Sequence, residues 1–139
     1  AASAGKKGLQ YPYGKKFNPT NGNTYETHIR ATTPVGVFPE GMTSTGIYDL
    51  SGNVWEWTTT IWEESKQKPQ FVYPYDANDG REDLQRINST MRRVVRGGSW
   101  SSPQFSARTA YRGISDPAYR DCALRLKPLG FRLVIRSPA

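Results

Sequence analysis

The sequence contains very little of the residues that bind soft metal ions or form disulfides. It has one cysteine, Cys122, and one histidine, His28, among 139 residues. A single cysteine excludes an internal disulfide, a cysteine-based zinc site and a two-cysteine redox or copper site within this chain. It is compatible with the reducing cytoplasm and also with display at a surface, so the compartment stays open.

Long apolar runs are also absent. Hydrophobic residues make up 36% of the chain, and no run of them approaches the length that spans a bilayer, so we expect no membrane span. The net charge is +7, but the 19 lysines and arginines are spread along the whole chain. Scattered positive charge raises non-specific affinity for polyanions without defining a site, so we do not predict nucleic acid as a partner.

Aromatic residues, glycine and proline are abundant instead. The chain is 12% aromatic, with 13 glycines and 10 prolines. This composition predicts a single domain over residues 1–139, of the α+β class, with a small antiparallel sheet, long irregular loops and a core of large aromatic side chains. The pattern predicts strands at 53–62, 92–100 and 129–135, and helices only at 81–92 and 104–111.

The most informative segment is 46–57 (GIYDLSGNVWEW), which crowds tryptophans and carboxylates into one short stretch. Neighbouring tryptophans need a core to cover them, so we expect Trp55 and Trp57, together with Trp100, to be buried. Carboxylates beside them need a partner, because a lone buried charge is costly. A turn held by hydrogen bonds or by a cation satisfies both needs.

Three segments in this order resemble the formylglycine-generating enzyme (sulfatase-modifying factor) family: 46–57, 93–100 (RVVRGGSW) and 130–134 (GFRLV). The resemblance implies that family's variant of the C-type lectin fold. It covers the C-terminal portion of the family's domain. The N-terminal portion would precede Ala1 and is missing from the chain, so an N-terminal segment or a second chain is an expected partner that completes the domain.

The resemblance also bears on catalysis. In the family's enzymes two cysteines that follow the Gly-Gly-Ser-aromatic bend bind copper and activate oxygen. The corresponding positions here are Ser102 and Ala107, which are poor ligands for a soft cuprous ion. Relatives in the ergothioneine pathway hold iron with several histidines, whereas this chain has only His28. We therefore expect neither copper nor iron, and the resemblance favours a non-catalytic chain. The alternative is an oxidative modifying enzyme whose active site is atypical or completed from outside.

A structural calcium ion is the cofactor that the resemblance implies. In the family this loop holds calcium through the side chains at Asp49 and Glu56 and the main-chain carbonyls at Gly52 and Val54. Clustered oxygen ligands suit calcium. The alternative left open by the residues is that Asp49 caps the turn and that Glu56 pairs with an arginine such as Arg96.

A ligand-binding surface is predicted in the loops 101–125. The family includes variable proteins of diversity-generating retroelements, and residues 93–132 resemble such a variable region. The expected ligand is a protein or a glycan, because aromatic anchors mixed with small polar groups are typical of adaptable recognition loops. The alternative is that Phe105 and Tyr119 cover the core. The candidate ligand-binding residues are Ser101, Ser102, Gln104, Phe105, Ser106, Ile114, Tyr119 and Cys122.

Two further groups of charged residues are predicted to be structural. Arg96, Arg112 and Arg132 should hold strands and loops by donating to carbonyl oxygens, a role that suits the planar guanidinium. Residues 76–80 (DANDG) resemble part of a calcium-binding loop, but the glycine comes one position early. We interpret them as a solvated acidic turn.

Overall fold

Among the residues that the structure describes, the regular structure is a small four-stranded sheet. The computed structural model describes residues 2–63, 71–72, 74–85, 91–114 and 128–133. Its strands are β1 (Trp55–Glu63), β2 (Arg92–Arg96), β3 (Gly113–Ile114) and β4 (Leu129–Gly130). Their order in the sheet is β3-β2-β1-β4. The pairs β1/β2 and β2/β3 are antiparallel, whereas β4 runs parallel to β1, so the prediction of a purely antiparallel sheet is wrong.

The two central strands confirm the sequence prediction. β1 and β2 lie within a residue or two of the ranges 53–62 and 92–100, except that β2 ends early. It ends because Gly97 and Gly98 turn the backbone with φ of 90° and 72°, a region that glycine enters without steric cost.

The last strand is shorter than predicted. It was expected over 129–135, but among the described residues it comprises only Leu129–Gly130, and residues 134–135 lie outside them. Its parallel pairing with β1 consists of Trp55 with Leu129 and Glu56 with Gly130. Beyond Gly130 the exposed segment 131–133 leaves the sheet.

Helical structure is limited to short 3-10 helices within the described residues. They are Pro19–Asn21, Tyr25–Thr27, Pro39–Gly41 and Gln104–Ala107. The predicted helix at 104–111 is therefore a single short turn. The predicted helix at 81–92 is wrong where the structure describes it, since residues 81–85 form turns and bends and Arg92 begins β2. There Asp83 Oδ1 accepts from the Gln85 N–H at 2.8 Å, a local bond that competes with helix formation.

A small mixed sheet with few helices is compatible with the α+β class, whereas the C-type-lectin detail stays a prediction. A helix of membrane-spanning length and hydrophobicity is absent from the residues described above.

Within the described ranges, the buried core is small and largely aliphatic. Ile61, Phe71 and Met91 form one buried cluster on β1 and beside it. The three tryptophans predicted for the core are only half-buried. The ring of Trp55, for example, lies against a loop, 6.0 Å from the ring of Tyr111.

The loops are held to the sheet by buried polar side chains. Asn53 is 8% exposed and has a φ of 66°. Its side chain accepts from the Thr33 N–H at 3.0 Å and donates to the Thr33 carbonyl at 3.1 Å. Its own N–H donates to the Asn23 carbonyl at 2.7 Å, and its carbonyl accepts from the Trp100 N–H at 3.0 Å. Asn53 thus joins three loops at the start of β1.

The acidic turn at 76–80 is built around a buried arginine. Arg81 donates to both carboxylate oxygens of Asp79, with Nη2 2.7 Å from Oδ2, and to the Val72 carbonyl at 3.0 Å. Its guanidinium also lies 4.8 Å from the centre of the Tyr75 ring. The Asp79 carboxylate is thus engaged by an arginine, which agrees with the interpretation as a turn.

Candidate functional site

The site begins where the Gly-Gly bend after β2 packs against the 3-10 helix Gln104–Ala107. A Cβ atom added to Gly98 would lie 3.2 Å from the backbone nitrogen of Ala107. On the other side, the Ser51 hydroxyl donates to the Ala107 carbonyl at 3.3 Å. The bend and the helix are therefore in direct backbone contact, and Ala107 lies close to the serines that follow the bend.

Those serines form a buried cluster of neutral hydroxyls. Ser99 is fully buried and Ser102 is 8% exposed, and their Oγ atoms lie 2.8 Å apart. The Ser101 Oγ lies 3.2 Å from the Ser99 Oγ. Within the described residues, groups of three or more histidine, cysteine, aspartate or glutamate side chains that could hold a metal are absent. The cluster supplies hydroxyl oxygens, which are poor ligands for a soft metal ion.

A glutamate from a distant loop fixes the start of the 3-10 helix. Glu26 Oε1 accepts from the Gln104 N–H at 2.8 Å, and its Oε2 accepts from the Thr24 hydroxyl at 2.7 Å. The neighbouring Tyr25 N–H donates to the Ser102 carbonyl at 3.0 Å. Burial acts to raise the pKa of Glu26, but these hydrogen bonds outweigh it and lower the pKa. The hydrogen bonds of the ionised Glu26 carboxylate are therefore fully present when the pH is above the ordinary carboxyl pKa. They are lost as the pH falls through the lowered pKa.

Four of the predicted ligand-binding residues are exposed, and together we call them the loop face: Ser101, Gln104, Phe105 and Ile114. The Phe105 side chain is 49% exposed, and its ring meets the Tyr111 ring edge-on with 5.8 Å between centroids. Tyr111 in turn contacts Trp55, so the exposed ring is supported by an aromatic row that leads to β1. Phe105 thus contacts its neighbours and remains half open to solvent.

The other predicted ligand-binding residues lie elsewhere. Ser102 and Ser106 are buried. Tyr119 and Cys122 lie outside the described residues. Sequence reasoning missed Glu26, which lies 78 residues before Gln104 and carries no local signal. It also missed the supporting role of Tyr111, whose ring contacts those of Phe105 and Trp55.

The predicted calcium loop contains an ion pair. Both carboxylate oxygens of Glu56 accept from Arg132, and the Nε–Oε2 distance is 2.7 Å. Arg132 Nη2 also donates to the carbonyls of Tyr48 at 3.1 Å and Asp49 at 3.4 Å. The hydrogen bonds to Glu56 raise the pKa of Arg132, so the guanidinium stays charged. Arg132 thus has the carbonyl-binding role predicted for it.

The pairing in this loop follows from the sheet register. Glu56 lies opposite Arg96 on β2 and Gly130 on β4, and Arg132 comes two residues after Gly130. Arg96 instead donates to the carbonyls of Thr109 and Ala110. Glu56 therefore pairs with an arginine, as the alternative to calcium supposed, but with Arg132 rather than Arg96.

The carboxylate of Asp49 is also engaged. Its Oδ2 accepts from the Gly36 N–H at 2.8 Å, and the residue has a left-handed φ of 57°. The oxygens of this loop are of the kind that calcium prefers, but a guanidinium occupies both oxygens of Glu56 and repels a second cation. The described contacts therefore fit Arg132 better than a divalent ion. Calcium bound by Asp49, Gly52, Val54 and Glu56 stays a prediction.

Comparison with known proteins places these features in a family. Residues 1–137 match the family model of the sulfatase-modifying factor enzyme 1-like domain. The serine/threonine-protein kinase Pkn1 of Chlamydia trachomatis is 33% identical over 122 residues, which are 84% of this chain and 17% of that protein. The inactive C-alpha-formylglycine-generating enzyme 2 of Bos taurus is 38% identical over 77 residues, 48% of this chain and 25% of that protein.

A third relative carries an oxidative activity in its name. The hercynine oxygenase of Mycobacterium tuberculosis is 30% identical over 119 residues, which are 80% of this chain and 24% of that protein. The chain thus spans between 17% and 25% of the length of these three relatives. Similar segments therefore occur in proteins that are named as a kinase, as an inactive enzyme and as an oxygenase.

Proposed function

Because the chain belongs to the sulfatase-modifying factor enzyme 1-like domain family, we propose that it is a non-catalytic binding module of that family. Its ligand would be a protein or a glycan, and the loops 101–125 would bind it. The observation that carries the proposal is the buried Ser99–Ser102 hydroxyl pair, which stands where the family's copper-binding enzymes would have the first cysteine.

The chemistry of this pair supports binding over oxidation. A cuprous site needs soft thiolate ligands, whereas Ser102 supplies a hydroxyl and Ala107 a methyl group. The Ser102 hydroxyl already shares a hydrogen bond with Ser99, and Ala107 is buried. An inactive relative exists in the same family, which is consistent with a fold that is retained without its redox chemistry.

The loop face supplies what a binding role needs. Phe105 offers an aromatic surface whose position is fixed by Tyr111, so little side-chain entropy is lost when a ligand covers it. Ser101 and Gln104 place small polar groups beside it, and Glu26 anchors the backbone beneath. An aromatic anchor with a polar rim is the usual arrangement of an interface hot spot.

A retroelement-diversified protein is a narrower form of the same proposal. The loop face lies within the segment 93–132, which the resemblance to variable proteins covers. A rigid frame below exchangeable surface residues is compatible with diversification. This form of the proposal stays a prediction.

Replacing Phe105 by alanine tests the proposal. The intact chain is applied to arrays of defined glycans and immobilised peptides, and the dissociation constant of each bound probe is measured for the wild type and the variant. We expect Phe105→Ala to weaken binding at least tenfold, because it removes the aromatic anchor.

The matched control is Phe131→Ala, since Phe131 is 73% exposed and lies outside the loops 101–125. It is expected to change the dissociation constant less than twofold. Absence of any bound probe, or equal effects of the two variants, would contradict a binding role for the loop face.

A further inference from the structure

A concave surface is lined in part by Arg108 and by none of the loop-face residues. It is an open cavity of about 400 Å³, within the range typical of small-molecule sites. Leu50 and Trp57 form apolar parts of the cavity wall, and most of the surface that lines the cavity is apolar. Neither the family's copper-site positions nor the loop face contributes to it.

The charges around this cavity have one dominant sign. Among the described residues that line it are three arginines, Arg96, Arg108 and Arg132, and one carboxylate, Glu56. Glu56 is paired with Arg132, so the pair is close to neutral. Arg96 donates to backbone carbonyls, which fix its position. Arg108 therefore supplies the positive charge that attracts an anion to the cavity.

Arg108 is placed to bind that anion directly. Its Nε donates to the Phe105 carbonyl at 3.0 Å, which holds the guanidinium plane at the cavity rim. The residue is exposed, and the described part of the chain shows no acceptor for either Nη group. Two Nη donors on a fixed fork match the paired oxygens of a carboxylate or phosphate.

We propose that this cavity, between Trp57 and Arg108, binds a small organic anion. The carboxylate or phosphate of the ligand lies on Arg108. Its apolar body lies along Trp57 and Leu50. Arg108 belongs to the loops 101–125, but none of the four loop-face residues lines the cavity, so the two proposed ligands can be tested separately.

Titration with small aromatic probes tests the site. Phenyl phosphate, benzoate, inorganic phosphate and benzylamine are added separately to the isotope-labelled chain, and the indole N–H signal of Trp57 is followed by NMR. We expect saturable binding of phenyl phosphate or benzoate, weaker binding of inorganic phosphate and none of benzylamine. Whichever of phenyl phosphate and benzoate binds with the lower dissociation constant shows whether the site prefers a phosphate or a carboxylate group.

Variants of Arg108 assign the site. Arg108→Gln should raise the dissociation constant of the bound aromatic anion about tenfold. The dissociation constant of Arg108→Lys should lie between those of the wild type and Arg108→Gln, because lysine keeps the positive charge but lacks the paired N–H donors of the guanidinium. Arg30→Gln removes an equal charge from an exposed residue outside the cavity. It should change the dissociation constant of the aromatic anion less than twofold.

Three outcomes would overturn the proposal: no anion binds, benzylamine binds as tightly as the anions, or Arg108→Gln leaves the dissociation constant unchanged. Phe105→Ala distinguishes this site from the loop face, because it should leave the binding of these probes within twofold of the wild type.

Discussion

Replacing Gly52 by alanine is expected to lower the free energy of unfolding by at least about 4 kcal/mol, enough to prevent folding of a marginally stable domain. Gly52 has a φ of 93°, where an L side chain is strained. An added Cβ would overlap the Asn23 carbonyl oxygen and lie 2.6 Å from its carbon. The backbone cannot yield easily, because the Gly52 N–H donates to the Gly97 carbonyl at 2.7 Å.

Gly46→Ala is the matched control for this variant. Gly46 lies in the same segment with a φ of 81°, but an added Cβ there would meet no atom within 4 Å. It should therefore cost only the conformational strain, about 1 kcal/mol. Urea denaturation of both variants measures the difference, and similar losses would show that the contact with Asn23 is not tight.

The second large effect is expected at the next residue. Asn53→Ala should lower the free energy of unfolding by about 3 kcal/mol, because it removes two hydrogen bonds to the Thr33 backbone and leaves alanine at a left-handed φ. Urea denaturation again gives the value.

Asn53→Gly separates the two causes. Glycine tolerates the positive φ, so this variant should lose only the hydrogen bonds and cost about 1 kcal/mol less than Asn53→Ala. Asn78→Ala, at an exposed asparagine, should cost less than about 0.5 kcal/mol. An Asn53→Ala variant as stable as Asn78→Ala would refute the role of Asn53 as the joint between loops.

The parts of the fold that the sequence predicted are those with a strong local pattern. β1 is rich in aromatic and β-branched residues, β2 contains a pair of valines, and the Gly-Gly pair marks the end of β2. The final strand was predicted from alternation but is short, because only two residues pair with β1 and Arg132 turns to the carboxylate of Glu56. Alternation of apolar and polar residues predicts that a segment is extended. It does not predict whether another strand is available to pair with it.

The tryptophans illustrate a second limit. Their clustering predicted a buried core, but Trp55 lies beside Tyr111, and the ring of Trp62 is covered by the guanidinium of Arg112, 4.9 Å from its centre. A large ring can be covered by loops and by arginine as well as by a sheet. The sequence does not distinguish these coverings, since the covering residues are far away along the chain.

The sequence predicted which kinds of chemical group the candidate site needs, but it did not predict which residues contact each other there. The need of Glu56 for a charged partner followed from its position between two tryptophans. That the partner is Arg132 follows from the register of β1 with β4, which brings together residues 76 positions apart. Likewise, the anchoring of Gln104 by Glu26 depends on tertiary contacts that no short motif specifies.

We propose that the hydroxyl pair of Ser99 and Ser102 replaces a copper site and leaves a module that binds without oxidising. The most direct measurement supplies the full chain with copper, oxygen and a cysteine-containing peptide, and follows peptide conversion by mass spectrometry together with oxygen consumption. We expect no conversion above the copper-only background. Copper-dependent conversion that Ser102→Ala abolishes would show that the chain is an oxidative enzyme.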